Sequence, residues 1–257
     1  MIEVRDITVA YPGSVSVLRG VSFQIRRGER IALMGCNGAG KTTLIRCLNG
    51  LVAPDSGDVR VDGLSTREVS GSLHARGKIG MVFQDPDDQM VAVTVEREIA
   101  FGLENIGLPR PQMISRVEEA VQRFRLSQVR GVSPHLLSGG ERQRLALAAV
   151  WVMHPDYYVL DEPTSLLDPE TRAEVFEFLD QEMKNGDRAF LMATQFPEEA
   201  QSCSRLLVLH GGRIAADGHP GDVFSDAAAC SGFGLRIPAA MELDQFMKDQ
   251  GFAFPSH

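Results

Sequence analysis

Polar and apolar positions alternate along the first thirty residues, which is the spacing of strands that are buried on one face. A turn-rich segment at residues 11–14 divides this stretch into two strands. Short apolar runs, typical of fully buried strands, follow along the chain. The further strands are predicted at about residues 30–34, 57–63, 78–84, 157–160, 188–194 and 205–209, with a last strand, turn and helix ending near residue 224.

Helical spacing fills most of the segments between these strands. The predicted helices lie at about residues 40–50, 95–126 and 138–154, and after Pro169. Apolar residues that share one face predict the buried sides of two of them. These residues are Ile114, Val117, Val121 and Phe124 in the second helix, and Val175, Phe176, Leu179 and Met183 in the fourth. Strands that alternate with helices predict an α/β fold with a mostly parallel, helix-covered sheet.

A short final segment is set apart by glycine and proline. It begins near Gly232 and leads into a helix whose predicted inward residues are Leu243, Phe246 and Met247. We therefore predict one main domain at residues 1–230 and a small C-terminal extension at residues 231–257.

Composition narrows the class of protein. The 257 residues are 44% hydrophobic and 23% charged, which suits one α/β domain with a small appendage. A net charge of -8 provides no basic field for a phosphate backbone, so we expect no nucleic-acid partner. We expect no membrane span, because no apolar run reaches about 18 residues. We expect no signal peptide, because residues 1–11 carry charges where a signal peptide needs an apolar core. The four cysteines have no metal-ligand or disulfide spacing and are expected to be reduced thiols of a cytoplasmic protein.

A phosphate-binding loop follows the third predicted strand. Residues 35–42, Gly-Cys-Asn-Gly-Ala-Gly-Lys-Thr, fit the pattern G-x-x-x-x-G-K-[ST]. In such a loop backbone N–H groups surround the phosphates, the lysine reaches the β- and γ-phosphates, and the threonine hydroxyl binds Mg²⁺. The pattern predicts ATP or a related nucleotide with Mg²⁺. The predicted nucleotide-binding residues are Gly35, Asn37, Gly38, Ala39, Gly40, Lys41, Thr42 and Thr43.

Two acids end the apolar strand at residues 157–160. Ligands bind at the carboxyl ends of strands in open α/β sheets, so Asp161 and Glu162 are expected beside the phosphates. Asp161 is predicted to support the Mg²⁺ that Thr42 holds. Side chains alternate along a strand, so Glu162 is expected to point the other way and to polarise the attacking water.

A second anion-binding helix start is predicted at Ser138. Ser138 and Glu141 form a capping-box pattern around two adjacent glycines, Gly139 and Gly140. Glycines are unfavourable in a first helical turn but allow backbone N–H groups to approach a phosphate closely. One chain therefore carries two separate phosphate-binding helix starts.

Together these motifs resemble the ATP-binding cassette (ABC) ATPases over residues 2–225. Residues 137–143, Leu-Ser-Gly-Gly-Glu-Arg-Gln, resemble the family's signature motif, and residues 165–168, Ser-Leu-Leu-Asp, resemble its D-loop. Tyr11 matches the adenine-stacking aromatic residue. Gln84 matches the Q-loop glutamine, which the resemblance places among the catalytic residues and the Mg²⁺ ligands. The implied fold is a P-loop NTPase core with an N-terminal antiparallel β subdomain and an inserted helical subdomain at about residues 95–150.

The resemblance also implies a partner and a mechanism. In that family two chains face each other head to tail, and Ser138, Gly139 and Gly140 would contact the γ-phosphate held by the other chain. Hydrolysis would then loosen the pair and drive a transporter. The resemblance leaves open whether the second ABC ATPase chain is a copy of this one or a different one.

A narrower resemblance is to the energy-coupling factor (ECF) branch, whose members serve uptake of vitamins or of cobalt and nickel. It rests on residues 84–89, Gln-Asp-Pro-Asp-Asp-Gln, on residues 94–105 and on the segment from Gly234 onward. This resemblance implies a membrane-embedded coupling subunit that docks near the Q-loop, and an extension that helps to hold two ATPases together. The expected location is the cytoplasmic face of the cell membrane.

One position departs from the family pattern. Gln195 stands where family members usually carry a histidine that contacts the γ-phosphate. A glutamine amide donates a hydrogen bond but cannot become cationic or pass a proton. Either Gln195 substitutes as a donor while Glu162 handles the water, or this site hydrolyses slowly and the chain pairs with a more active ATPase.

Two other classes of function compete with a transporter ATPase. An ABC ATPase of DNA repair or translation would need a coiled-coil insertion or tandem domains with a basic linker, and the chain has neither. A nucleotide-regulated binding module would hold ATP without hydrolysing it. Gln195 is compatible with that function, whereas Lys41, Asp161 and Glu162 favour catalysis. The sequence therefore favours an ATP hydrolase.

Overall fold

The computed structural model describes residues 1–13, 16–165, 167–184 and 186–249. Leu166 of the predicted D-loop and residues 250–257 of the predicted extension lie outside these ranges. The described strands are β1 (Ile2–Val9), β2 (Leu18–Ile25), β3 (Arg30–Met34), β4 (Ser56–Val61), β5 (Leu64–Ser65), β6 (Ile79–Val82), β7 (Tyr157–Asp161), β8 (Ala189–Ala193), β9 (Arg205–His210) and β10 (Arg213–Gly218). The described helices are α1 (Lys41–Leu48), α2 (Val69–Lys78), α3 (Val95–Asn105), α4 (Arg110–Arg123), α5 (Gly139–Trp151), α6 (Pro169–Met183), α7 (Pro197–Gln201), α8 (Pro220–Ser225), α9 (Ala227–Gly232) and α10 (Ala239–Asp249).

An antiparallel sheet contains the N-terminal strands in the order β2-β1-β4-β5. The alternation of β1 shifts by one position between Val4 and Ile7, and the strand pairing has an irregularity at the same place. Asp6 adopts φ 48° within this bulge, and a Cβ on Gly57 of the neighbouring strand would lie 2.3 Å from the Asp6 carbonyl oxygen. The bulge keeps both halves of β1 facing the core.

A second sheet has the order β10-β9-β3-β8-β7-β6 and is parallel except for β10. Its central strands are apolar on both faces because a separate core covers each face. In β3, Ile31 and Leu33 belong to the core beneath the antiparallel sheet, whereas Ala32 and Met34 belong to the core beneath the helices. The predicted mixed α/β fold is confirmed.

The parallel arrangement determines where the predicted site residues lie. Strands β3, β8, β7 and β6 are successive neighbours, so the segments that follow them emerge at one sheet edge. These segments carry the phosphate loop after β3, Gln195 after β8, Glu162 after β7 and Gln84 after β6. Four segments that are distant in sequence therefore meet at one place.

The helices differ from the sequence prediction in detail. The helical stretch at 95–126 is two helices, α3 and α4, separated at Gly107, which adopts φ 68°. The prediction for Ile114 was wrong: its side chain is 58% exposed, because the inward face of α4 is formed by Val117, Ala120 and Val121. Phe176, which was predicted on the buried side of the helix after Pro169 (α6), is only partly buried.

Helix α6 therefore uses a somewhat different face from the predicted one. Phe178 is buried beside Val175 and Leu179, and its ring contacts the Phe124 ring with centroids 5.3 Å apart.

The C-terminal extension also requires a correction. The prediction of an inward apolar face on the last helix was wrong, since Leu243 and Phe246 of α10 are 60% and 59% exposed. Leu235, Ile237 and Met241 of the extension instead pack, partly buried, against the main core. None of the helices in the described ranges is both long and apolar enough to cross a bilayer.

Candidate nucleotide site

The phosphate loop joins β3 to α1 in the conformation that its glycines allow. Gly40 adopts φ 103° immediately before α1 begins at Lys41, a value that other residues rarely adopt. A Cβ on Gly35 would lie 2.3 Å from the Leu209 carbonyl oxygen, so only glycine fits there. Lys41 is buried, and its Nζ donates a 2.9 Å hydrogen bond to the Gly35 carbonyl oxygen. A buried ammonium group thus lies at the start of a helix, where anions are favoured.

Asp161 and Glu162 diverge at the end of β7. Asp161 is the last strand residue and is buried, whereas Glu162 lies beyond the strand with φ 49°. Because Glu162 lies outside β7 in a left-handed conformation, the pleat alternation that the sequence argument used does not extend to it. A non-glycine residue in this conformation stores backbone strain of a kind that is concentrated at functional sites.

The Asp161 carboxyl is paired with the loop threonine. Burial raises the pKa of Asp161, and the nearby Glu162 carboxylate raises it further, whereas a hydrogen bond with the Thr42 side chain and the Lys41 charge act in the opposite direction. Ionised Asp161 is thus held in an unfavourable environment that a bound cation would improve. The oxygen ligands of Thr42 and Asp161 match the preference of Mg²⁺.

Glu162 is the acceptor at the centre of the site. Gln84 donates from Nε2 to Glu162 Oε2 at 3.1 Å, and Gln195 donates from Nε2 to both carboxylate oxygens at 2.9 Å. Lys41 Nζ lies 3.4 Å from Glu162 Oε1. Residues that follow three of the four neighbouring strands therefore converge on the carboxylate that follows the fourth, β7.

A cavity of 490 Å³ opens in front of this carboxylate. Tyr11 stands at its edge with its hydroxyl 3.3 Å from Thr43 Oγ1, and Gln195 is exposed to the same space. The volume is adequate for a bound small molecule. The lining residues are Tyr11, Val17, Asn37, Gly38, Ala39, Gly40, Lys41, Thr42, Thr43, Gln84, Glu162 and Gln195.

Two groups of predicted site residues lie outside that lining. Gly35 and Asp161 lie behind it, at the ends of β3 and β7. Ser138, Gly139 and Gly140 begin α5, where Ser138 Oγ accepts from the Glu141 N–H at 3.3 Å and Glu141 accepts from the Ser138 N–H at 2.9 Å. The predicted capping box is therefore confirmed. Ser138 and Gly139 are exposed to solvent, and none of the three residues lines the cavity in front of Lys41 among the described residues.

Sequence reasoning missed a buried polar group behind the site. Glu199 of α7 is buried and accepts hydrogen bonds from Thr164 and Thr194, which lie close in sequence to Glu162 and Gln195. Two adjacent acids after a proline are typical of a solvent-exposed helix start, so no pattern in the sequence indicated that Glu199 is buried.

The fold and site define an ABC-type ATPase. The ABC transporter family model matches residues 18–165, more than half of the chain. The energy-coupling factor transporter ATP-binding protein EcfA1 of Bacillus subtilis is 42% identical over 98% of this chain and 90% of its own length. The EcfA1 protein of Symbiobacterium thermophilum is 43% identical over 93% of this chain and 83% of its own length.

A solved structure agrees with the sequence comparisons. The structure of CbiO1 from Clostridium perfringens, described as part of the ABC transporter complex CbiONQ, superposes with a TM-score of 0.78. It is 32% identical and covers 94% of this chain and 97% of the other. The chain therefore belongs to the ABC transporter family, among the ATP-binding proteins of its ECF branch. It is an ATP-binding protein and an ATP hydrolase of that family.

Proposed function

We propose that the 490 Å³ cavity binds Mg²⁺-ATP and that Glu162 directs its hydrolysis. The observation that carries this proposal is that three side chains contact the Glu162 carboxylate. They are Lys41, which begins α1, Gln84 and Gln195. In the proposed complex the ring of Tyr11 stacks on the adenine. The loop residues 35–43 surround the phosphates, and Lys41 contacts the β- and γ-phosphates.

Thr42, Asp161 and Gln84 would hold the Mg²⁺. The hydrogen bond between Thr42 and the buried Asp161 supports this ligand set, because it places hard oxygen donors beside the phosphate loop. The bound ion would neutralise charge on the phosphate oxygens.

In the proposed reaction Glu162 polarises a water whose oxygen attacks the γ-phosphorus. The bond from that phosphorus to the β–γ bridging oxygen breaks, ADP leaves with the electron pair, and Glu162 accepts the proton. Gln84 and Gln195 orient the Glu162 carboxylate through their amide groups. Gln195 also donates to the γ-phosphate as ATP enters.

A second ATPase chain would complete the pocket. Ser138, Gly139 and Gly140 form a second anion-binding helix start, yet none of them lines the 490 Å³ cavity in front of Lys41 in the part of the chain that the structure describes. Exposed N–H groups at such a helix start suit a phosphate presented by another molecule. In the proposed dimer each chain supplies the phosphate loop of one pocket and the signature helix of the other, and ATP closes the dimer until hydrolysis opens it.

The proposed physiological role is to power import through a membrane-embedded coupling subunit, at the cytoplasmic face of the membrane. The likeness to ECF transporter ATP-binding proteins supports a role in such a transporter. The proposed cargo is a vitamin or a transition-metal ion. Val91, Val93 and Phe101, which follow the Q-loop, are 64%, 67% and 45% exposed. An exposed apolar surface of this kind suits a coupling helix of the membrane subunit. The extension at residues 231–257 would help to hold the two ATPases together.

Gln195 favours a second candidate function. In that alternative the site binds ATP but hydrolyses it slowly, and the chain acts mainly as the regulatory partner of a more active ATPase. A neutral amide at the γ-phosphate forms a weaker contact than a cationic imidazole would.

The Glu162→Gln variant tests the catalytic assignment. The amide keeps the size of the side chain but cannot accept a proton from water, so ATP affinity should stay within about twofold while the single-turnover rate falls by about 100-fold or more. Glu177→Gln, which changes an exposed carboxylate on α6, is the matched control and should hydrolyse ATP normally. Near-normal turnover by Glu162→Gln would refute the role of Glu162.

A further inference from the structure

Glu199 joins two loops that carry the proposed catalytic residues. Its side chain is 5% exposed, on the short helix α7. Thr164 Oγ1 donates to Glu199 Oε1 at 2.6 Å, and Thr194 Oγ1 donates to Glu199 Oε2. Each oxygen of one buried carboxylate therefore accepts a hydroxyl from a different loop.

The first loop begins at Glu162. Thr164 lies two residues after Glu162, and Ser165 closes the turn between them by donating both its N–H and its hydroxyl to the Glu162 carbonyl oxygen, at 3.2 and 3.1 Å. The Thr164 contact with Glu199 thus fixes a turn whose first residue holds the strained φ of 49°.

The second loop contains Gln195. Thr194 Oγ1 accepts the Phe196 N–H at 3.0 Å while it donates to Glu199, so the hydrogen bonds hold the residues on both sides of Gln195. The Thr194 N–H donates to the Leu33 carbonyl oxygen at 3.1 Å, which ties this loop to the strand before the phosphate loop. Gln195 itself is exposed and can reach a ligand.

Arg172 of α6 contacts both loops. Its Nη2 donates to the Thr164 carbonyl oxygen at 3.4 Å, its guanidinium lies 4.1 Å from the centre of the Phe196 ring, and its Nε is 3.7 Å from Glu199 Oε1. A cation beside the carboxylate partly offsets the cost of its burial. We call Thr164, Arg172, Thr194, Phe196 and Glu199 the Glu199 clamp.

We propose that Glu199 is a positioning residue, which holds the Gln195 amide against the Glu162 carboxylate through the two threonine hydroxyls. This inference rests on the proposed function, since it matters only if Glu162 and Gln195 act on ATP. None of the clamp residues lines the 490 Å³ cavity. Loss of the clamp should therefore slow the hydrolysis step and leave the affinity for ATP unchanged.

Thr194→Val tests the clamp because it removes one hydroxyl at nearly constant volume. Single-turnover hydrolysis by the full chain in excess over ATP should slow by about tenfold or more, the scale on which small misplacements of catalytic groups act. Affinity for ATP should stay within about twofold, and Thr194→Ser, which restores the hydroxyl, should recover the rate. Thr66→Val, a buried threonine beside the antiparallel sheet, is the control and should hydrolyse ATP at the normal rate.

The Gln195→Ala background separates positioning from a general loss of stability. Thr194→Val should slow Gln195→Ala by less than about twofold, because the group that the clamp positions is already absent. The clamp proposal is wrong if the rate losses caused by Thr194→Val and by Gln195→Ala multiply in the double variant. It is also wrong if Thr194→Val alone keeps the normal rate. If Thr194→Val does not fold, Thr164→Val, which frees the loop that begins at Glu162, should itself slow single-turnover hydrolysis by about tenfold and leave ATP affinity within about twofold, and a normal rate would contradict the clamp. Normal hydrolysis by Glu162→Gln would instead overturn the proposed function.

Discussion

Replacing Gln195 with histidine measures what the neutral amide costs this site. Gln195 is exposed at the cavity, and its Nε2 lies 2.9 Å from both oxygens of Glu162. An imidazole at this exposed position has room and can contact the same carboxylate and the γ-phosphate. When protonated it donates as a cation, which a glutamine amide cannot do.

The magnitude follows from the two kinds of hydrogen bond. A neutral contact contributes about 1 kcal/mol and a charged one about 2 kcal/mol, so the exchange should gain about 1 kcal/mol in the transition state. The Gln195→His variant should therefore hydrolyse ATP about five- to tenfold faster in a single-turnover assay. Because only the protonated ring provides the gain, the advantage should decline as the pH rises through the imidazole pKa.

Gln195→Ala is the companion variant because it removes the donor altogether. Its rate should fall by about fivefold or more, the equivalent of the neutral contact of about 1 kcal/mol, if the amide contacts the transferring phosphate. Unchanged or slower hydrolysis by Gln195→His would refute the hypothesis of a slow site. A normal rate for Gln195→Ala would show that position 195 takes no part in catalysis.

Two further predictions concern Asp161 and Tyr11. Burial raises the pKa of Asp161, so the ionised carboxyl destabilises the nucleotide-free fold. Asp161→Asn should therefore raise the melting temperature at neutral pH. This gain should disappear as the pH falls and Asp161 becomes protonated. An equal gain at all pH values would contradict this reasoning. Tyr11→Ala should weaken ATP binding by about tenfold through loss of stacking, whereas Tyr11→Phe, which keeps the ring, should bind nearly normally in a titration; normal binding by Tyr11→Ala would exclude the stacking role.

The local parts of the site were predictable from sequence. The loop at residues 35–42 follows a buried strand and opens a helix, and each feature is encoded by neighbouring residues. The proximity of Gln84, Glu162 and Gln195 could also be predicted, since all three follow strands of one parallel sheet.

Long-range packing accounts for what was missed. The left-handed φ of Glu162 and the inward direction of Glu199 depend on partners that are distant in sequence, as the 35-residue separation of Thr164 and Glu199 illustrates. Helix α2 was not predicted because its sequence contains two glycines. A Cβ on one of them, Gly71, would lie 2.0 Å from the Ser65 carbonyl oxygen, so glycine permits close packing of the helix against β5.

The proposed mechanism requires a pocket that is shared between two chains, and the mass of the ATP-bound protein tests this directly. Sedimentation of the Glu162→Gln chain should show a monomer without nucleotide and a dimer with Mg²⁺-ATP. Adding Ser138→Arg should prevent the dimer while each chain still binds ATP, whereas His135→Arg, at an exposed position three residues earlier, should leave the dimer intact. If Glu162→Gln binds ATP stoichiometrically and remains a monomer, the proposed mechanism is contradicted.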